Sequence, residues 1–154
     1  LFKTAAGVNV QVVPFNGSPA VLTALRGGQI DAAVEILAPL LPQINSQALR
    51  ALAVTGDKRA ASLPGVPTAK ESGVMSMSAA SWNALAVPHK TPPDIVQKLN
   101  RDIQLVLAMP DVRKRLLDMN VEPQPSTVAQ ASELLSAEIK RWREVIQRAG
   151  IPKQ

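Results

Sequence analysis

The sequence predicts an α/β fold, in which a parallel-rich sheet is followed by a run of C-terminal helices. Short apolar runs at 8–13, 30–35 and 49–55 are joined by segments of helix length, the pattern of parallel strands covered on both faces. Proline and glycine punctuate the junctions, at Pro14, Pro19 and Gly27-Gly28. Beyond residue 91, apolar residues recur at helical spacing.

In chain order, Leu1–Gly7 reads as the end of a helix with a glycine cap. No initiator methionine precedes it, so the chain is expected to be a mature or trimmed piece of something longer. Alternating Val8, Val10 and Val12 predict a first strand over 8–13. The loop Pro14-Phe15-Asn16-Gly17-Ser18 leads into a helix over Pro19–Arg26. Ser18 suits the N-cap, and Pro19 the first helical position, where its missing N–H costs nothing. Val21, Leu22 and Leu25 form one apolar face, and Gly27-Gly28 ends the helix where positive φ is needed. A second strand (Ile30–Glu35), an apolar helix around Pro39–Ser46 and a third strand (Leu49–Thr55) follow. In a parallel sheet with right-handed crossovers, ligands collect at the carboxyl ends of the strands. Residues 14–18, Glu35-Ile36 and Thr55-Gly56-Asp57 would lie together there.

Residues 57–77 are charged and proline-rich. Thr68 and Glu71 are spaced as a capping box for a helix of one or two turns that Gly73 ends. Met77–Val87 reads as extended, with Trp82 in its middle, and Pro88–Pro93 as a break. Thr91 and Pro92 should open a helix bearing Ile95, Leu99, Ile103, Val106 and Leu107. Pro110 should open another, with Val112, Leu116 and Leu117, stopping near Asn120, and 121–123 suits a short edge strand. A long helix from Ser126 or Thr127 to Ala149 carries Val128, Ala131, Leu135, Trp142 and Val145 on one side. A Glu144–Arg148 pair sits one turn apart, with Gly150 and Pro152 at its end.

A chain of 154 residues can bury one real core. At 46% apolar it should be globular, and with 3% aromatic residues the core must be aliphatic. No apolar run is long enough to cross a bilayer, and no signal peptide is recognisable. The absence of cysteine excludes disulfides, thiolate catalysis and zinc–thiolate sites. The net charge of +5 favours anionic partners, but the basic residues concentrate in 98–115 and 140–148, interleaved with acids. Without an aromatic platform nearby they read as solvated helix faces, and no nucleic-acid partner is expected.

No catalytic constellation emerges. His89 is the only histidine and lies in a proline-flanked loop, where it reads as a solvated hinge residue. The acids are too scattered for a metal site, no Gly-x-Ser-x-Gly elbow exists, and no cofactor signature is present. Phe15-Asn16-Gly17-Ser18 lacks the glycine-and-lysine signature of a phosphate loop. Two readings stay open for it: a plain βα turn, or an anion site made of free amides at the positive end of a helix. Asp31 suits a structural role near the start of its strand, and Trp82 a packing role.

Taken as a series, several stretches resemble the periplasmic solute receptors of tripartite tricarboxylate transporters, the Bug-type receptors. They are Val13-Pro14-Phe15-Asn16-Gly17, similar to the family's Val-Pro-Tyr-Lys-Gly loop; Gly27-Gly28-Gln29-Ile30-Asp31; 49–55 followed by Lys58-Arg59; and 63–73, Leu63-Pro64-Gly65-Val66-Pro67-Thr68 onward. Ser81-Trp82, Pro88, Thr91-Pro92 and the closing helix with Glu138 and Trp142, ending at Ala149-Gly150-Ile151, continue the series. The resemblance covers essentially the whole chain, in order, as the C-terminal half of a receptor about twice as long.

The resemblance implies a periplasmic-binding-protein type 2-like lobe over 1–80, a hinge crossing over 81–92, and C-terminal helices over 93–154 that belong to a mostly absent first lobe. It also implies capture of a small carboxylate without a catalytic step, in the periplasm, for the permease subunits of the membrane transporter. The implied ligand-binding residues are Phe15, Asn16, Gly17 and Ser18, with Glu35 and Ile36 beside them. Lobe closure on the ligand would present a surface to the permease. Without its partner lobe the chain would expose an apolar face and self-associate. Phe15-Asn16 replaces the family's usual Tyr-Lys, Glu35-Ile36 its common Asp-Ser, Ala84 its glycine, and His89-Lys90-Thr91-Pro92 its Ala-Gly-Thr-Pro, so the ligand does not follow from the family. The alternative from another class is the effector-binding domain of a transcription regulator, and a third is an enzyme.

Overall fold

The computed structural model describes residues 1–151. The chain forms two compact units, Leu1–Ser81 and Trp82–Gln154. The first holds α1 (Phe2–Ala6), α2 (Ser18–Arg26) and α3 (Leu37–Asn45); the second holds α4 (Pro93–Ala108), α5 (Pro110–Asp118) and α6 (Val128–Arg148).

Helix boundaries track local backbone chemistry closely. Gly7 closes α1 at φ 65°, in the left-handed region. After α2, Gly27 keeps a negative φ of −79° and Gly28 takes the positive one, 67°. Ser18 is not the N-cap of α2. Gly17 holds that position and Ser18 is the first helical residue, with no side-chain cap. The cap falls to Gly17 because its φ of 88° and ψ of 163° bring the chain in at an angle closed to residues with a Cβ. Whereas α2 starts one residue earlier than expected, α4 starts one residue later, with Pro92 as N-cap and Pro93 as first residue. Both prolines can be accommodated there, since neither removes an intrahelical bond. Thr127 caps α6 through a complete capping box with Gln130, and Glu144 and Arg148 meet at 3.5 Å. Asn120, at φ 58°, turns the chain after α5. The expected stop at Pro152 lies outside the described residues.

The expected sheet has no counterpart among the described residues. Segments 8–13 and 30–35 form no ladder, and in 49–55 one isolated parallel bridge joins Val54 to Thr68. The expected strands are also open to solvent, with Val12 77%, Val34 66% and Leu52 66% exposed. An apolar run states that a segment can be buried, but a strand exists only where a neighbour in register takes its N–H and C=O groups. The stretch at 121–123 is not a strand either, although Pro123 is buried.

In the first unit the buried residues are Ala24 on α2 and Thr68, Ala69 and Met77 in the long loop. Thr68 and Glu71 make the capping box expected of them: the Thr68 amide donates to Glu71 Oε2 at 2.7 Å, and the Glu71 amide to Thr68 Oγ1 at 3.1 Å. The box opens a series of turns rather than a helix, closed by Gly73 at φ 92°. In the second unit α4 packs on α5 and α6. Asn100 Nδ2 on α4 donates to the Ser126 carbonyl at 2.9 Å, pinning the entrance of α6. Large apolar residues stay exposed on these helices, among them Ile95, Leu99, Val106, Leu135 and Ile139.

Candidate functional site

Both groups of residues expected at a ligand site lie at helix entrances in the first unit. Phe15 is half-buried, Asn16 and Gly17 are exposed, and half-buried Ser18 starts α2. The first turn of α2 holds no acidic residue and its N-cap offers no side-chain acceptor. Its leading amides therefore have no anionic partner from within the helix, and the helix dipole favours one.

The second entrance is served internally. Ile36 is the N-cap of α3, and its amide donates to Glu35 Oε1 at 2.8 Å. The Glu35 carboxylate thus turns back onto the positive end of α3, where negative charge is stabilised. A ligand approaching Glu35 would have to compete with that bond.

The third stretch, Thr55-Gly56-Asp57, is held by a polar network. Thr55 Oγ1 donates to the Ala79 carbonyl at 2.7 Å. Asp57 Oδ1 accepts from Lys70 Nζ at 2.6 Å and from Ser78 Oγ at 3.1 Å. Beside it, Arg59 Nε donates to both oxygens of Glu71, at 3.1 and 3.0 Å, and Arg59 Nη1 donates to the Pro64 carbonyl at 3.1 Å. The Arg59 hydrogen bond, then the Thr68 amide, hold the Glu71 carboxyl down at about 2, well below its ordinary 4.5. Because the folded value is depressed, this contribution to stability is fully present above pH 4.5 and is lost as pH falls through about 2. An NMR titration of the Glu71 carboxyl is expected to show a midpoint near 2, and Arg59→Ala to move it back towards 4.5. A midpoint already near 4.5 in the unsubstituted chain would mean the pair does not form. Both side chains are about half exposed, so salt should weaken the effect.

An open cleft of about 460 Å³ lies between α2 and α3, lined by Pro19, Leu22, Thr23, Arg26, Gly27 and Gln43. It contains none of the six expected ligand residues. Hydrophobic periodicity marks only the apolar face of α2 and so carries no signal for the polar members of this cleft; Thr23 and Arg26, three residues apart, form the other face. Thr23 Oγ1 already donates to the Pro19 carbonyl at 3.0 Å.

Elsewhere, His89 is exposed, and no group of three or more metal-ligating side chains converges among the described residues. Trp82 is exposed at 41%. Trp142 Nε1 donates to Glu138 Oε2 at 2.8 Å, and Arg141 both pairs with Glu138 at 3.2 Å and lies over the Trp142 ring. That cluster braces one face of α6. No helix among the described residues is long and apolar enough to cross a membrane.

Comparison with known proteins places these features in a lineage. The chain is 32% identical over 150 residues to Protein BugT of Bordetella pertussis, spanning 97% of the chain and 46% of that protein. It is 34% identical over 147 residues to a UPF0065 protein from the clcB-clcD intergenic region of Pseudomonas knackmussii, spanning 95% of the chain and 87% of that protein. Among solved structures, MatC from Rhodopseudomonas palustris with bound malate is similar at 31% identity and a TM-score of 0.76, over 94% of this chain and 50% of that one. The periplasmic binding protein BugD is similar at 29% identity and the same TM-score, over 99% and 52%. The chain thus spans about half the length of most of these relatives, and nearly all of the Pseudomonas one. Likeness to the periplasmic binding protein BugD along 99% of this chain is consistent with that fold. The model of the tripartite tricarboxylate transporter family receptors matches residues 1–151, so it is to this family, TctC, that the chain belongs.

Proposed function

We propose that the chain forms part of a periplasmic receptor that captures a small carboxylate and delivers it, without a catalytic step, to the permease subunits of a tripartite tricarboxylate-type transporter. The observation that carries this reading is the match along 94% of the chain to MatC, a structure that holds malate. The local chemistry supports it. The entrance of α2 offers amides with no acidic residue in the first turn, while Phe15 supplies an apolar wall. Gly17 lets the backbone come close, Asn16 and Ser18 add neutral polar groups, and Phe15-Asn16 stand where the family resemblance has a tyrosine and a lysine. Glu35 and Ile36 border the site from α3, with Glu35 held back by its own helix.

The test is calorimetric titration of a full-length receptor containing this chain, with malate, other small dicarboxylates and a neutral sugar. Saturable binding of at least one dicarboxylate and none of the sugar is the expected result. Failure of every carboxylate to bind would overturn the reading. The 154-residue chain alone is expected to bind weakly or not at all, and to self-associate through the exposed apolar faces of α4 and α6. Micromolar binding by the chain alone, or a monomer by light scattering at high concentration, would contradict those two expectations.

A further inference from the structure

The first unit holds four acidic residues, Asp31, Glu35, Asp57 and Glu71, and three of their carboxylates are engaged at close range. Glu71 takes Arg59 and the Thr68 amide, and Glu35 takes the Ile36 amide. Asp57 reaches its partners across 13 and 21 residues: its Oδ1 accepts from Lys70 Nζ at 2.6 Å and from Ser78 Oγ at 3.1 Å. The backbone sets up that meeting. Val54 donates to the Pro67 carbonyl at 2.9 Å and accepts from the Ala69 amide at 2.8 Å, so Lys70 leaves the bridge beside the turn that carries Asp57. Ala79 donates to the Thr55 carbonyl at 2.9 Å, which brings Ser78 to the same turn. The Asp57 side chain is nevertheless 72% exposed and that of Lys70 41%. An ion pair this open contributes little to stability.

We propose that Lys70 is a specificity-determining residue: it masks the Asp57 carboxylate, so that an anionic ligand can approach the Thr55-Gly56-Asp57 turn. The proposal rests on the carboxylate reading, in which that turn lies at the same edge as 14–18 and Glu35-Ile36. A bare carboxylate there would repel a carboxylate ligand, and more strongly for each further charge the ligand carries. Paired at 2.6 Å, Asp57 and Lys70 instead present a dipole, whose field falls off faster with distance than that of a lone charge. The Ser78 hydroxyl, donating to the same oxygen, offsets its charge further. Glu35 is compensated in the same sense by the Ile36 amide at the positive end of α3. Both carboxylates expected at that edge are therefore offset by the protein itself.

Titration calorimetry of a full-length receptor containing this chain, with malate and succinate at low ionic strength, tests the masking. Lys70→Met is expected to weaken dicarboxylate binding by about threefold or more, and high salt to narrow the loss. Adding Asp57→Asn to Lys70→Met should restore binding to within about twofold, because the amide still accepts from Ser78 and has no charge to mask. Lys98→Met, which takes the same charge from an exposed ion pair on α4, should leave binding unchanged. A Lys70→Met receptor that binds like the unsubstituted one would overturn the proposal. So would a loss that Asp57→Asn fails to restore, since that loss would come from a displaced turn rather than a bared charge. Should Lys70→Met fail to fold, Asp57→Asn alone decides: binding within about twofold of the original supports the masking, and a larger change in either direction overturns it. If the unsubstituted receptor binds no carboxylate, the carboxylate reading falls and the masking with it, whereas normal binding indifferent to Lys70 removes the masking alone.

Discussion

Gly17→Val in a full-length receptor containing this chain is expected to weaken carboxylate binding at least tenfold while leaving most of the protein folded. The reason lies in the backbone. At φ 88° and ψ 163°, Gly17 occupies a region that is essentially reserved for glycine, and a residue forced into it costs about 1–3 kcal/mol. The chain can escape that cost only by rotating the loop, which redirects the amides at the entrance of α2. Steric filling contributes little: a Cβ on Gly17 would have Pro19 Cδ at 3.8 Å, an ordinary contact. Gly17→Ala should therefore already show much of the loss, which separates a backbone requirement from a crowding one. Titration calorimetry and thermal melting of both variants check this. Normal binding by Gly17→Val would reduce the loop to a turn and move the anion site elsewhere.

Met77→Ala should be the most damaging truncation in the first unit. Met77 is 3% exposed, in a unit whose other buried apolar side chains, Ala24 and Ala69, are already minimal. Removing a fully buried methionine side chain costs about 2–5 kcal/mol in lost transfer energy and residual cavity. Leu25→Ala is the informative comparison. Leu25 is only half-buried on α2, so its cost should fall at or below the low end of that range. Urea unfolding of both variants, monitored by circular dichroism, reads the difference. A larger loss for Leu25→Ala would show that the face of α2 is covered more fully in solution than its half-buried position implies.

The helices and their ends were legible in the sequence because the information is local. Gly7, Gly28 and Asn120 turn the chain where only small or permissive residues can. Thr127 with Gln130, and Thr68 with Glu71, satisfy orphan amides across three residues. One-residue shifts occurred at Ser18 and Pro92, where two adjacent residues could each fill the cap and the approach of the preceding chain chose between them. Family membership was also legible, because a series of short stretches in fixed order spans the whole chain and the family model matches 1–151.

Other features depended on which distant groups meet. Val8, Val10 and Val12 alternate as strand residues should, yet alternation names a face and no partner, and the described chain provides one bridge at Val54. Nothing in the neighbouring residues announced that the Glu35 carboxylate would accept from the Ile36 amide, a choice set by the geometry of one turn. Arg59, Glu71, Asp57, Lys70 and Ser78 have the composition of a solvated charged loop. Their pairing across up to 21 residues arises only once Val54 and Ala69 bring the two ends of that loop together. What the sequence by itself determined is the main helices, to within a residue at their ends, and the lineage of the chain, each written in neighbouring residues. What only the tertiary structure decided is which polar groups partner one another, because a hydrogen bond or ion pair between distant residues exists only after the backbone has placed its two halves within about 3 Å.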